Sequence, residues 1–144
     1  MKIDEIHDMW RVDCIVDKTE LGDEALKLPK LHSKYLKIFT DERLALRKLE
    51  QDRKQLVLMK NDYYRGVLPE EDLKENGWEP FRMTVLKSDI PMYIEADQDM
   101  VKLNLRISIQ QEKVDTLEAI IKSISNRGFL IKSAIEFEKF KVGA

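Results

Sequence analysis

The chain has 144 residues and a formal net charge of -2, with 36% charged and 43% hydrophobic residues but only 5 Gly and 4 Pro. That length fits one modest domain and leaves no room for a second, enzymatic one, while the charge-rich, Gly- and Pro-poor composition points to long helices with solvated faces. Cys14 stands alone, which excludes an intramolecular disulfide, and no stretch approaches the roughly 18 apolar residues of a membrane helix.

From the amino end, Ile3, Ile6, Met9 and Trp10 recur at helical spacing and predict a short amphipathic helix ended by Asp13. Val12 to Val16 reads as extended, with Cys14 a buried, inert thiol inside that apolar run. The opening Met1-Lys2-Ile3-Asp4-Glu5 has no apolar signal core, so a reducing cytosol is the expected compartment. Asp17-Lys18-Thr19-Glu20 has the form of a capping box for a second helix, expected to run to Phe39 with an interruption at Pro29. Thr40 followed by Asp41-Glu42 has the form of an N-cap with acids on the first turn of a third helix, closed by Gly66. On that helix Leu46, Leu49, Val57 and Tyr64 line one side, with Arg43, Arg47, Arg53, Lys54 and Lys60 over the remainder.

The acidic stretch from Gly66 to Pro80, with Pro69 and Asn76-Gly77 as turn formers, reads as a loop that Trp78 anchors. Met83-Thr84-Val85-Leu86 and Met92-Tyr93-Ile94-Glu95 have strand-like composition, so a short β-hairpin or extended connector near 81–96 is the most β structure expected. Asp97 can cap a further helix carrying Leu103, Ile107, Val114, Leu117, Ile121 and Ile124 in a near-heptad seam that only Gln110 interrupts. Asn126-Arg127-Gly128 reads as a stop, followed by a last amphipathic helix with Phe129, Ile131, Ile135 and Phe140 on an apolar face wide enough to meet another helix or another subunit. The fold class is therefore mainly α, divided into a region 1–96 with the basic third helix and acidic loop and a helical region 97–144 suited to self-association.

Charge is spread unevenly. Residues 27–65 hold eleven Lys and Arg against five acids, whereas 1–26 hold three against eight and 66–104 four against nine. The basic block ends in Lys60-Asn61-Asp62-Tyr63-Tyr64-Arg65-Gly66, and cations followed by paired aromatics can track a phosphate backbone and stack bases. A solvated amphipathic helix would carry the same residues. Catalytic constellations are missing: the sequence contains no glycine-rich phosphate loop, no His-x-x-x-His pair and no Cys cluster. His7 and His32 are isolated, and Glu70-Glu71-Asp72 reads as solvated charge. No catalytic residue, metal ligand or cofactor site is assigned.

An ordered set of segments resembles the recombination mediator family of T4-like bacteriophages, the UvsY type. The segments are Val16-Asp17-Lys18-Thr19, Ser33-Lys34-Tyr35-Leu36, Arg53-Lys54 with Lys60 through Gly66, Met83-Thr84-Val85-Leu86, and Ile121-Lys122-Ser123 through Arg127-Gly128-Phe129-Leu130-Ile131-Lys132 to Phe140 and Gly143. The resemblance implies a non-enzymatic protein of the infected host's cytoplasm. It would bind single-stranded DNA, load a RecA-like phage recombinase onto it and help displace the phage single-strand binding protein, in recombination, recombination-dependent replication and repair. It also implies a closed homo-oligomeric ring, a hexamer or heptamer, with no membrane association. The family's DNA-contact motif, Leu-Lys-Ala-Arg, corresponds here to Val57-Leu58-Met59-Lys60: Lys60 keeps the second basic position and Leu58 replaces the first. Lys60, Lys54, Arg53, Arg65 and Arg47 are thus the expected DNA contacts, with at most one stacking ring between Tyr63 and Tyr64. The expected oligomer contacts are Leu103, Ile107, Val114, Leu117, Ile121, Ile124, Phe129, Ile131, Ile135 and Phe140. The competing reading is a helical homo-oligomeric adaptor whose basic block meets an acidic protein rather than DNA.

Overall fold

The computed structural model describes residues 1–143. Five α-helices account for most of them: α1 (Ile3–Asp13), α2 (Leu21–Tyr64), α3 (Glu70–Asn76), α4 (Ile90–Ala96) and α5 (Gln98–Lys141), with a 3-10 turn at Lys87–Asp89 before α4. No strand occurs among the described residues.

The first helix ends where its periodicity does, but the next three expectations are corrected. Asp17 does not cap a helix. Its Oδ1 accepts from the Thr19 amide at 2.9 Å and the Thr19 hydroxyl at 2.6 Å, closing a tight turn, and α2 starts later at Leu21. The second and third predicted helices are one element of 44 residues that passes through Pro29 and Thr40 without a break. Proline removes one amide donor, and Thr40 offers only an optional cap; with no Gly or second Pro between Pro29 and Gly66 to stop it, the chain gains a further backbone bond for each residue it keeps helical. Cys14 is exposed as the C-cap of α1, and Ile15 beside it is exposed as well, so the run expected to be buried lies at the surface.

The chain forms two compact units, Met1–Leu44 with Gln110–Ala144, and Ala45–Ile109. These boundaries differ from a division at 96/97, since both long helices contribute residues to each unit. In the first unit Ile6, Tyr35, Leu117, Ile120 and Ile124 are buried together, flanked by Trp10, Leu28, Leu31 and Phe39. Burying each such aliphatic side chain contributes about 1.5–3 kcal/mol. Asp13 ties the elements together: its Oδ2 accepts from Lys34 at 2.6 Å and Tyr35 at 2.8 Å, and its carbonyl accepts from Arg127 at 3.0 Å. Gln110, the polar residue in the seam, is buried because its amide donates to the Glu42 carbonyl at 2.8 Å and carboxylate at 2.6 Å.

The stop expected at Asn126-Arg127-Gly128 is absent. Arg127 is buried and held by Asp13, and Gly128 keeps helical geometry with a side of the backbone close to Leu28, so α5 runs on to Lys141. In the second unit Ile90, Ile94 and Met100 form the core, with Leu56, Val57, Tyr64 and Val85 against it. The strand expected at Met92–Glu95 is helical, since Pro91 sits in the first turn of α4 and Ile90 and Ile94, four apart, both turn into that core. Residues 79–86 carry neither helix nor strand and form the connector to α4. The acidic loop contains α3, closed by Gly77 in the left-handed region (φ 70).

Candidate nucleic-acid interface

Every residue named as a DNA contact lies in the second unit, on or just beyond the last stretch of α2. At about 100° per residue, Arg53, Val57, Lys60 and Tyr64 fall within roughly 60° of one another, while Arg47, Lys54 and Leu58 fall within roughly 40° on a face about 110° away. One basic stretch of sequence therefore supplies two faces with different fates.

The first face is committed to the interior. Lys60 is 3% exposed. Its Nζ lies 3.0 Å from Asp97 Oδ2 and 2.9 Å from Asp99 Oδ2, and sits 3.7 Å from the Trp78 ring centroid and 5.1 Å from that of Tyr63. The Tyr64 hydroxyl donates to Asp97 Oδ2 at 2.7 Å. Asp97 in turn caps α5 as its sequence position suggests, its Oδ1 accepting the amides of Asp99 at 2.9 Å and Met100 at 3.1 Å. Burial alone would raise the Asp97 carboxyl, but the hydrogen bonds from Tyr64, Lys60 and the Met100 amide, with the Lys60 charge, hold it below the usual carboxylate range. Burial, and then the bond to Asp97, push the Tyr64 phenol well above its ordinary value. Arg53 is exposed, yet its Nε donates to Asn104 Oδ1 at 2.8 Å, leaving the outer guanidinium nitrogens available.

The tyrosine pair is likewise engaged within the chain. Gly66, at φ 73, reverses the backbone through bonds from its own amide to the Tyr63 carbonyl at 3.0 Å and from the Val67 amide to the Asp62 carbonyl at 3.1 Å. The returning segment then covers both rings: Tyr63 packs on Trp78 and Phe81, and Tyr64 on Phe81 and Tyr93, with centroids 4.9–5.7 Å apart. The Tyr63 hydroxyl donates to the Glu79 carbonyl at 2.6 Å. Trp78 anchors the acidic segment by this route.

The second face is open. Arg47 and Lys54 are exposed and take part in none of the ion pairs among the described residues, and Leu58 is 70% exposed. Arg65, beyond the helix end, is exposed with a long 3.8 Å contact to Asp62. It also borders a cleft of about 270 Å³ lined with Tyr64, Met83, Thr84, Val85, Lys87 and Ile90. Sequence reasoning missed Lys87 at this cleft; its only signal was a lone cation following the apolar Met83–Leu86 run.

The residues expected at the oligomer contact separate in the same way. Leu103, Val114, Leu117, Ile124 and Ile131 are buried inside the chain and Ile107, Ile121 and Ile135 are half-buried, whereas Phe129 and Phe140 are 74% and 78% exposed. Phe137 joins those two exposed rings, within about 80° of helix circumference, while Ile131 points to the other side.

The arrangement defines an all-helical protein with a cationic outer helix face and no assembled group of three potential metal-ligating side chains among the described residues. No helix in it is long and apolar enough to cross a membrane. The family described as "Recombination, repair and ssDNA binding protein UvsY" matches residues 9–144, and the chain belongs to that family. It is 23% identical over 143 residues to the recombination protein uvsY of Enterobacteria phage T4, covering 99% of each sequence. Crystal structures of the bacteriophage T4 recombination mediator protein UvsY share the fold: one at 24% identity has a TM-score of 0.85 with 99% of this chain and 98% of the other covered, and a second at 21% identity has a TM-score of 0.85 with 97% and 99% covered.

Proposed function

We propose that this protein is a single-stranded DNA-binding recombination mediator that promotes loading of a RecA-like recombinase onto DNA coated by a single-strand binding protein, during phage recombination, recombination-dependent replication and repair in the host cytoplasm. It acts without catalysing a reaction. Family membership supports the class, and the observation that carries the DNA reading is the open cationic face of α2, where Arg47 and Lys54 take part in no ion pair among the described residues. Arg65 adds a cation beyond the helix end, Lys87 one beside the cleft, and Arg53 the exposed outer nitrogens of its guanidinium from the neighbouring face.

Residues 1–96 supply the DNA contacts and 97–144 the self-association, through the exposed Phe129, Phe137 and Phe140 at the end of α5. Copies closed into a ring of six or seven would repeat the cationic face, so each subunit needs only a few phosphate contacts and the ring holds the strand through effective concentration. Every single contact stays exchangeable, which is what handing a strand from one protein to another requires. Sedimentation velocity with and without a short oligothymidylate tests the reading. A closed oligomer that takes up the oligonucleotide, and that dissociates and binds far more weakly when Phe129 and Phe140 are replaced by Asp, is the expected result; a protomer, or an oligomer indifferent to oligothymidylate at low salt, overturns it.

A further inference from the structure

The first unit contains a second basic feature that the DNA reading does not use. A groove of about 600 Å³ is lined with Lys27, Lys30, Lys34, Arg127, Val12, Ile15 and Leu31, together with Asp13 and Glu24. The three lysines and Leu31 come from one face of α2, within about 100° of helix circumference. Two of the cations are already partnered: Lys27 with Glu24 at 3.2 Å and Lys34 with Asp13 at 2.6 Å. Arg127 is buried and donates to the Asp13 carbonyl. Lys30 is exposed and takes part in none of the ion pairs among the described residues. Beside it, Val12 and Ile15 are 70% and 71% exposed, an unusual placement for two aliphatic side chains bordering one concave surface.

We infer that this groove docks an acidic peptide segment that carries aliphatic side chains, a strand or turn of a partner protein, at a site separate from the DNA-binding face. Two features select a peptide over a nucleic acid. No aromatic ring lines the groove, so bases find nothing to stack on. Asp13 and Glu24 are among its lining residues, and a continuous row of phosphates would run past both acids; a peptide presents its charges intermittently and can set a carboxylate against Lys30 while an aliphatic side chain covers Val12, Ile15 and Leu31. The excess of four cations over two carboxylates fixes the sign of the partner.

The test uses the full chain and a short fluorescein-labelled peptide of alternating Asp and Leu, followed by anisotropy at low salt. The peptide is expected to bind, its Asn-for-Asp counterpart to bind at least about tenfold more weakly, and Lys30→Glu to lower affinity by about tenfold or more while Lys30→Arg retains it. Ile15→Ser should weaken the peptide without touching any charge. Oligothymidylate affinity and oligomer size should be the same in Lys30→Glu as in the parent chain. Failure of the peptide to bind overturns the proposal. So does an equal loss of oligothymidylate binding in Lys30→Glu, which would give the groove to DNA, or a changed oligomer size, which would give it to a second copy of this chain.

Discussion

Two faces of the same helical stretch, one bearing Arg53, Lys60 and Tyr64 and the other Arg47, Lys54 and Leu58, start from similar sequence and end in opposite circumstances. On the first, Lys60 is enclosed by Asp97, Asp99 and Trp78 and works as part of the fold. On the second, Arg47 and Lys54 are exposed and take part in none of the ion pairs among the described residues. A cation's position along the sequence therefore says less about its role than its phase around the helix. Lys60, a cation within the basic block, can be held in internal packing all the same.

The largest expected effect comes from breaking the buried face. Lys60→Ala leaves Asp97 buried with its cation removed and should destabilise the protein by about 3–5 kcal/mol in urea unfolding. A loss near zero would mean that Lys60 is not held as described. Acid offers a second probe of the same group. Because the folded Asp97 carboxyl titrates below the ordinary value, its stabilisation is complete above about pH 4 and is lost as pH falls through the lowered folded value. Thermal unfolding followed from neutral to acid pH should therefore fall more steeply in the parent than in Asp97→Asn, which starts lower; parallel curves would remove Asp97 from the account. Tyr63→Phe deletes only the hydrogen bond to the Glu79 carbonyl and should cost about 0.5–1.5 kcal/mol with no change in fold by circular dichroism.

The open face should respond in the reverse sense. Leu58→Lys, which adds a cation to the face of Arg47 and Lys54, should leave stability within about 0.5 kcal/mol and strengthen oligothymidylate binding at low salt. An unchanged affinity would separate that face from the DNA.

Much of the fold was legible because its signals are local. The Ile3, Ile6, Met9, Trp10 spacing marks α1, Gly66 stops α2 with a left-handed residue, and Asp97 caps α5. What misled were residues that have a local preference but no power to enforce it. Thr40 sits inside a helix, and Gly128 continues α5 with Arg127 held by Asp13, over a hundred positions away in sequence. Met92–Glu95 has strand composition, yet four-residue spacing of Ile90 and Ile94 toward the core decides for helix.

The candidate site was legible as a basic block with paired tyrosines, and not as two faces, because the sorting depends on Asp97, Asp99, Trp78 and Phe81, which lie well downstream. Only the 3.6-residue phase of Arg53, Val57, Lys60 and Tyr64, shared with apolar Val57, hinted that this row turns inward.

The most direct measurement is the salt dependence of oligothymidylate affinity in two variants compared with the parent, under conditions where all three are folded. Arg47→Ala with Lys54→Ala should flatten the log–log slope by roughly 0.7 for each phosphate contact removed, while Lys60→Ala should leave the slope unchanged. A flattened slope in Lys60→Ala with a parental slope in the double variant would contradict the assignment of the open face as the one that meets DNA.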